Sequence, residues 1–337
     1  MSVQFTRNYF NANAKLPGAV AAYSRPPGEI IMSHRRAVVL VVLSTLGFGS
    51  MGLFASIAYA SGVTPSSLLA LRFVLASLLL LPLIWFKGWR LPSGRILAGY
   101  ILMGVLYTAQ AQSYFNALLF ASSGLVALLV YVYPVLVTLL ALVLGWEKAD
   151  RKLLVLLAMA SVGMAITLGG GQQGRATGIV LALLAAAIYS VYILLGRQLS
   201  QSEQDTHPLA ASVVILATAA IGNTGLALWH GISLPTSANG WLAVGMIALF
   251  STALAIGFFL IGVKRIGAPQ ASILSTFEPV VTLAIGVAFL NERLSSNQLF
   301  GGFLVLLAVI LLALRTPAKL TPMSGHAAEK SLRLFRG

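Results

Sequence analysis

Apolar runs about twenty residues long recur along this chain with short polar segments between them, and that succession limits its fold more tightly than any motif. A helix that crosses a bilayer needs about 20 predominantly apolar residues. Ten stretches meet or approach that length: residues 37–59, 66–86, 96–119, 124–144 and 153–168, then 178–196, 209–229, 240–261, 268–290 and 298–314. Charged residues make up only 9% of the 337, against about 25% in a soluble domain. So little charge cannot clothe a water-soluble surface of this size. The sequence therefore predicts an all-α integral membrane protein with ten transmembrane helices.

The basic residues divide unevenly between alternate loops. With the N-terminus inside, nineteen of the 22 Lys and Arg fall on the cytoplasmic side; Arg175 and Arg293 lie outside and Arg72 lies within a stretch. Cytoplasmic loops are the ones enriched in Lys and Arg, so the bias predicts an even number of crossings with both termini cytoplasmic. One crossing more or fewer in mid-chain would invert every later loop and erase the alternation. The same distribution turns the net charge of +14 away from nucleic acid, because the charges are scattered through short loops and form no phosphate-binding face. The ends, residues 1–36 and 315–337, are basic and proline-bearing and are expected to lack fixed structure. No apolar core of a cleavable signal precedes residue 37, and Met32 offers a more economical start for translation than Met1.

Several chemistries are disfavoured by what the chain lacks. It has no cysteine, and His34, His207, His230 and His326 are scattered without metal-ligand spacing. Gly47-Phe48-Gly49-Ser50-Met51-Gly52 fits GxGxxG literally. A dinucleotide site, however, needs a preceding strand and a helix that begins at the glycines, whereas these lie inside an apolar stretch. No GxxxxGK[ST], GxSxG or HExxH segment occurs, so neither ATP hydrolysis nor a standard nucleophile has a seat. No cofactor is expected.

The two halves of the chain correspond. Tyr133-Pro134-Val135 in the fourth stretch has a counterpart 145 residues later in Glu278-Pro279-Val280 of the ninth. Glu147-Lys148 follows the first proline by 13 residues, and Glu292-Arg293 follows the second by the same interval. A unit of five crossings, repeated, must enter its second copy upside down. Two inverted five-helix repeats, residues 37–168 and 178–314, are thus expected, with a solute site near mid-membrane between them. Leu46-Gly47-Phe48-Gly49-Ser50, Ala70-Leu71-Arg72-Phe73 and the duplicated Pro-Val helix ending in Glu-Lys or Glu-Arg together resemble the EamA-type members of the drug/metabolite transporter superfamily, over about residues 36–314. The resemblance implies ten helices in two inverted halves, a central cavity open alternately to each side, and export or import of amino acids, other metabolites or drugs without ATP. A bacterial inner membrane is the expected setting. Phe48 stands where the family often carries tryptophan.

Ionisable residues inside hydrocarbon are costly and become candidate functional groups. Glu278 is the one acid deep within a stretch, and Arg72 the one base. At 1.5 Å per residue they lie about 18 and about 9 Å from the outer ends of their helices, so Arg72 either reaches Glu278 or snorkels to the outer headgroups. Glu278 has three readings: a group that binds and releases a driving proton, a contact for a cationic part of the solute, or a carboxyl that steadies the break at Pro279. Pro134 marks the corresponding break. Helical spacing puts Ser275, Glu278 and Thr282 on one face, Tyr107, Gln110 and Tyr114 on another, Gln112 and Asn116 on a third, and Tyr189 with Tyr192 on a fourth. Such faces either line a cavity or hydrogen-bond helix to helix.

A secondary transporter that exports a small metabolite or amino acid, coupled to protons, is the leading reading. Its partners are that solute, protons and the lipid bilayer, with oligomeric state left open. An integral-membrane enzyme would want clustered acids or histidines at one face, and the acids show no such cluster. A passive channel would want rings of like residues, whereas the polar faces differ between halves.

Overall fold

Within hydrocarbon each peptide group must find its hydrogen-bond partner inside the protein, and a helix supplies it locally. The computed structural model describes residues 33–146, 150–169, 174–202, 206–266, 271, 274–293 and 295–314. Among them all ten apolar stretches are helical, and the only β contact is an isolated bridge between Ala121 and Gly174. The expected tails up to residue 32 and beyond residue 314, and the Glu147-Lys148 pair, lie outside the described residues.

The helices are α1 (His34–Gly49), α2 (Met51–Ala60), α3 (Pro65–Lys87), α4 (Gly94–Ala117), α5 (Ser123–Val130), α6 (Tyr133–Val143), α7 (Arg151–Gly169), α8 (Ala176–Ser202), α9 (Pro208–His230), α10 (Ala238–Ala248), α11 (Ala255–Ile266), α12 (Glu278–Phe289) and α13 (Ser296–Leu314). A π-helical turn, Leu249–Leu254, joins α10 to α11. Among the described residues six helical runs are long and apolar enough to cross a membrane: His34–Ala60, Pro65–Lys87, Ser123–Val143, Ala176–Leu199, Pro208–His230 and Ala238–Val263. That is fewer than the ten crossings expected. The 24-residue α4 is long enough, but its tyrosines and amides dilute its apolarity. Helix α12 has 12 residues because it restarts at Glu278, and α7 and α13 have 19 each.

Local chemistry sets several ends. Thr64 caps α3 by accepting from the Ser67 amide, Pro65 follows in the first turn where its missing N–H costs nothing, and Gly88 ends the helix at φ +63°. Ser237 caps α10 through the Gly240 amide at 3.2 Å.

Packing pairs the stretches in a regular way. The first, α1 with α2, lies against α10 and α11 of the eighth; the second, α3, against α9 of the seventh; the third, α4, against α8 of the sixth. The fourth, α5 with α6, meets α12 of the ninth, and α7 packs on α13. This last pair is drawn close by Gly163 and Gly301. A Cβ on either would stand 2.8 or 2.5 Å from the other's carbonyl oxygen, so only glycine lets the two backbones approach this far.

Among the described residues four stretches are interrupted: at Ser50 between α1 and α2, at Tyr131–Val132 between α5 and α6, at the π turn, and at Thr276–Phe277 before α12. Pro134 and Pro279 each occupy the first turn of the helix that restarts after a break. Side chains from other broken stretches tie these gaps together. Thr282 Oγ1 donates to the Gly49 carbonyl at 3.0 Å, Ser50 and Ser251 hydroxyls meet at 3.2 Å, and the Tyr131 hydroxyl donates to the Ser275 carbonyl.

A further joint anchors α5. Ser123 donates its amide and its hydroxyl to Glu292 Oε1, both at 2.7 Å, and the Gly124 amide donates to Oε2 at 3.0 Å. The carboxylate thus satisfies free amides at the positive end of a helix 169 residues away in sequence. Glu292→Ala is expected to destabilise the protein by about 1–2 kcal/mol, as loss of a capping side chain does. Glu292→Gln, which keeps one carbonyl acceptor, should cost less. Thermal unfolding of the purified protein in detergent checks that order.

Candidate functional site: a tyrosine-lined cavity at the helix breaks

Three of these breaks border a cavity of about 150 Å³. Phe48 and Met51 flank the Ser50 break, Val130, Tyr131 and Tyr133 flank the next, and Glu278 follows the Thr276–Phe277 turn. Helix α3 contributes Arg72, α4 contributes Tyr107, Gln110, Ala111, Tyr114 and Phe115, and α8 contributes Tyr189. The wall draws on both halves of the chain.

Tyrosines form a continuous arc. Tyr131 and Tyr133 meet edge to face at 5.7 Å, Tyr133 and Tyr189 at 4.7 Å, and Tyr189 stacks on Tyr192 at 5.6 Å. Tyr192 then approaches Tyr107 at 5.8 Å, and Tyr107 packs on Phe73. Rings in such edge and offset contacts hold each other's orientation, while their hydroxyls add a polar lining to an aromatic box. Ser190 fixes one corner, donating to the Tyr133 carbonyl at 3.2 Å.

Arg72 takes neither course that its depth suggested. It is only 2% exposed, so it does not snorkel, and no ion pair joins it to Glu278. Its Nε donates to Thr252 Oγ1 at 2.8 Å, and Nη2 lies 3.4 Å from the Tyr107 hydroxyl. The guanidinium carbon stands 4.8 Å from the Phe73 ring centre and 5.3 Å from that of Phe115. Depth along an axis says nothing of rotation about it, and the rotation of α3 turns Arg72 to the π turn. That turn in its own right supplies the acceptor. Thr252 donates to the carbonyl of Ile247, five residues back, at 2.8 Å, which leaves its oxygen free to receive Arg72.

Glu278 stands in the first turn of α12, a position where the helix dipole favours an acid. Among the described residues no side-chain or backbone donor meets its carboxylate, which faces the cavity. Its backbone carbonyl lies 3.1 Å from Thr282 Oγ1.

Of the residues singled out by sequence, Glu278, Arg72, Tyr107, Gln110, Tyr114 and Tyr189 share the cavity wall. Four others are placed elsewhere. Gln112 donates to Asn223 at 2.9 Å and Asn116 donates to Gln112, an amide chain that ties α4 to α9. Thr282 and Ser275 serve at the breaks, the first through its hydroxyl and the second through its carbonyl; the Ser275 hydroxyl turns back to Ala271. Sequence reasoning left out Met51, Phe115, Val130, Tyr131 and Thr252. Tyr131 and Tyr133 flank the proline break and could have been inferred from it; Thr252 lies in an unremarkable apolar run and could not.

The profile of the EamA-like transporter family matches residues 35–169 and 176–314. An uncharacterized transporter of Bacillus subtilis, YcbK, is 27% identical over 290 residues, covering 78% of this chain and 88% of that one. An uncharacterized inner membrane transporter of Escherichia coli, YedA, is 24% identical over 257 residues, covering 74% and 82%. A solved crystal structure that covers 84% of this chain and 98% of its own shares the fold, with a TM-score of 0.59 at 22% identity.

Because the natural chain has no cysteine, single cysteines report on a silent background. Gln110→Cys is expected to react with a small water-soluble thiol reagent in detergent, and Asn223→Cys, fully buried between α4 and α9, to stay unmodified. Mass spectrometry of the labelled protein checks this.

Proposed function

The chain belongs to the EamA-like transporter family, and from that premise we propose a secondary transporter that exports a small organic solute, a metabolite or amino acid, by alternating access in exchange for protons. The observation that carries the proposal is the Glu278 carboxyl, which meets no donor among the described residues and faces a small cavity at a helix break between the two halves. Broken helices that face each other across such a cavity are a recurrent way to build a transport site.

Ten crossings in two inverted repeats are part of the proposal. Exchanging each stretch with the one five places on leaves the packing pairs unchanged: first–eighth swaps with third–sixth, while second–seventh, fourth–ninth and fifth–tenth map onto themselves. The family profile matching once on each side of residue 170 supports the same division, and the distribution of Lys and Arg supports cytoplasmic termini. The setting is a bacterial inner membrane, as the name of the Escherichia coli relative states for that protein.

Proton coupling follows from what one carboxyl can do. Low dielectric disfavours its charged form unless a positive group approaches, so Glu278 holds a proton in one phase of the cycle and faces the solute in another. The groups around it in the cavity are the Tyr114, Tyr131, Tyr133 and Tyr189 hydroxyls and Arg72, none of which is an acid of comparable strength. A carboxyl that holds either a proton or the ammonium group of an amino-acid solute exchanges the two. With protons flowing inward, solute flows outward.

Proteoliposomes screened over amino acids, nucleosides and cationic dyes test this. An acidic lumen should drive solute accumulation by the wild type. Glu278→Gln should abolish that dependence on the gradient while solute-for-solute exchange persists. Undiminished gradient-driven accumulation in Glu278→Gln would contradict the proton role.

A further inference from the structure

We propose that Arg72 is an anion subsite, and that the transported solute carries a single carboxylate which the guanidinium receives. The inference rests on the transport reading and names the solute class that the cavity is built for. A buried cation is costly unless an anion compensates it. Arg72 is 2% exposed and lines the cavity, yet no carboxylate lies within ion-pair distance among the described residues. Its fixed contacts are all neutral: one hydroxyl on Nε, one at 3.4 Å from Nη2, and two ring faces. They hold the guanidinium in place without cancelling its charge. The Nη1 edge has no acceptor among the described residues, and a planar guanidinium presents paired N–H groups that match a carboxylate.

The cavity also selects among anions. Among the described residues no second Arg or Lys lines it, and Glu278 stands on its wall. A doubly charged phosphate would find one cation and a competing acid, whereas a monoanionic carboxylate is balanced by Arg72 alone. The aromatic arc of Tyr131, Tyr133 and Tyr189 is then left for the apolar body of the solute. Thr252 is a positioning residue here, because the π turn aims its hydroxyl oxygen at Nε.

The test is thermal unfolding of the purified full chain in detergent with a matched set sharing a phenylethyl body: 3-phenylpropanoate, 3-phenylpropanamide, 3-phenylpropylamine and 2-phenylethyl phosphate. The acid should stabilise the wild type and the other three should not. Thr252→Val should weaken acid binding about 10- to 100-fold, the loss of one hydrogen bond to a charged group, and Arg72→Gln should abolish it. Arg72→Lys, which keeps the charge, should retain weak binding and guards against a folding defect in Arg72→Gln. Equal stabilisation by acid and amide, preference for the phosphate or the amine, or no stabilisation by the acid would each overturn the proposal. Acid binding that depends on Arg72 without any flux would instead count against transport and leave the subsite standing. Flux of carboxylate-free solutes with no preference for acids would do the reverse.

Discussion

A break in a helix surrounded by hydrocarbon exposes carbonyls and amides that only protein can satisfy, and the rest of this structure depends on how that requirement is met. The gaps at Ser50, Tyr131–Val132, the π turn and Thr276–Phe277 are closed in part within their own stretches, as where the Ser50 hydroxyl donates to the Gly47 carbonyl at 2.8 Å. They are also tied to one another, through Thr282 to Gly49, Ser50 to Ser251, and Tyr131 to Ser275. Each suture spans more than 140 residues of sequence. The interrupted helices must therefore lie together. Their junction is where the regular backbone gives way to side chains, and there the cavity forms.

The same constraint places the charges. Breaking the ninth stretch sets Glu278 at the start of a helix, where the dipole favours it, instead of midway along one. The π turn frees the Thr252 oxygen and so fixes Arg72 from the opposite half. Acid and base thus share one small chamber without neutralising each other. An ion pair between them would leave the cavity little to offer a charged solute. Their separation leaves two groups available for binding.

Much of this was legible in the sequence, for physical reasons that differ from element to element. The helices were legible because hydrocarbon thickness fixes both length and composition. The breaks at Pro134 and Pro279 were legible because proline lacks an N–H. The break at Ser50 and the π turn were not, since Leu249–Leu254 reads as ordinary apolar helix. Spacing grouped Tyr107 with Gln110 and Tyr114, and Gln112 with Asn116, but gave no means to tell a cavity face from a helix contact. Only the neighbours decide that: Asn223 meets one strip and open space meets the other. Glu292 read as a charge at a helix exit, because its partner Ser123 is 169 residues distant. Arg72 was misplaced because axial rise fixes height and leaves azimuth free.

The reading as a transporter of this design stands on the second half being turned over relative to the first. Arg151→Cys and Arg293→Cys, introduced singly, place a thiol after the fourth and after the ninth stretch. Labelling with a membrane-impermeant maleimide in right-side-out and inside-out vesicles reads the side of each. The account predicts that Arg151→Cys reacts only in inside-out vesicles and Arg293→Cys only in right-side-out ones; reaction of both from the same face would contradict it.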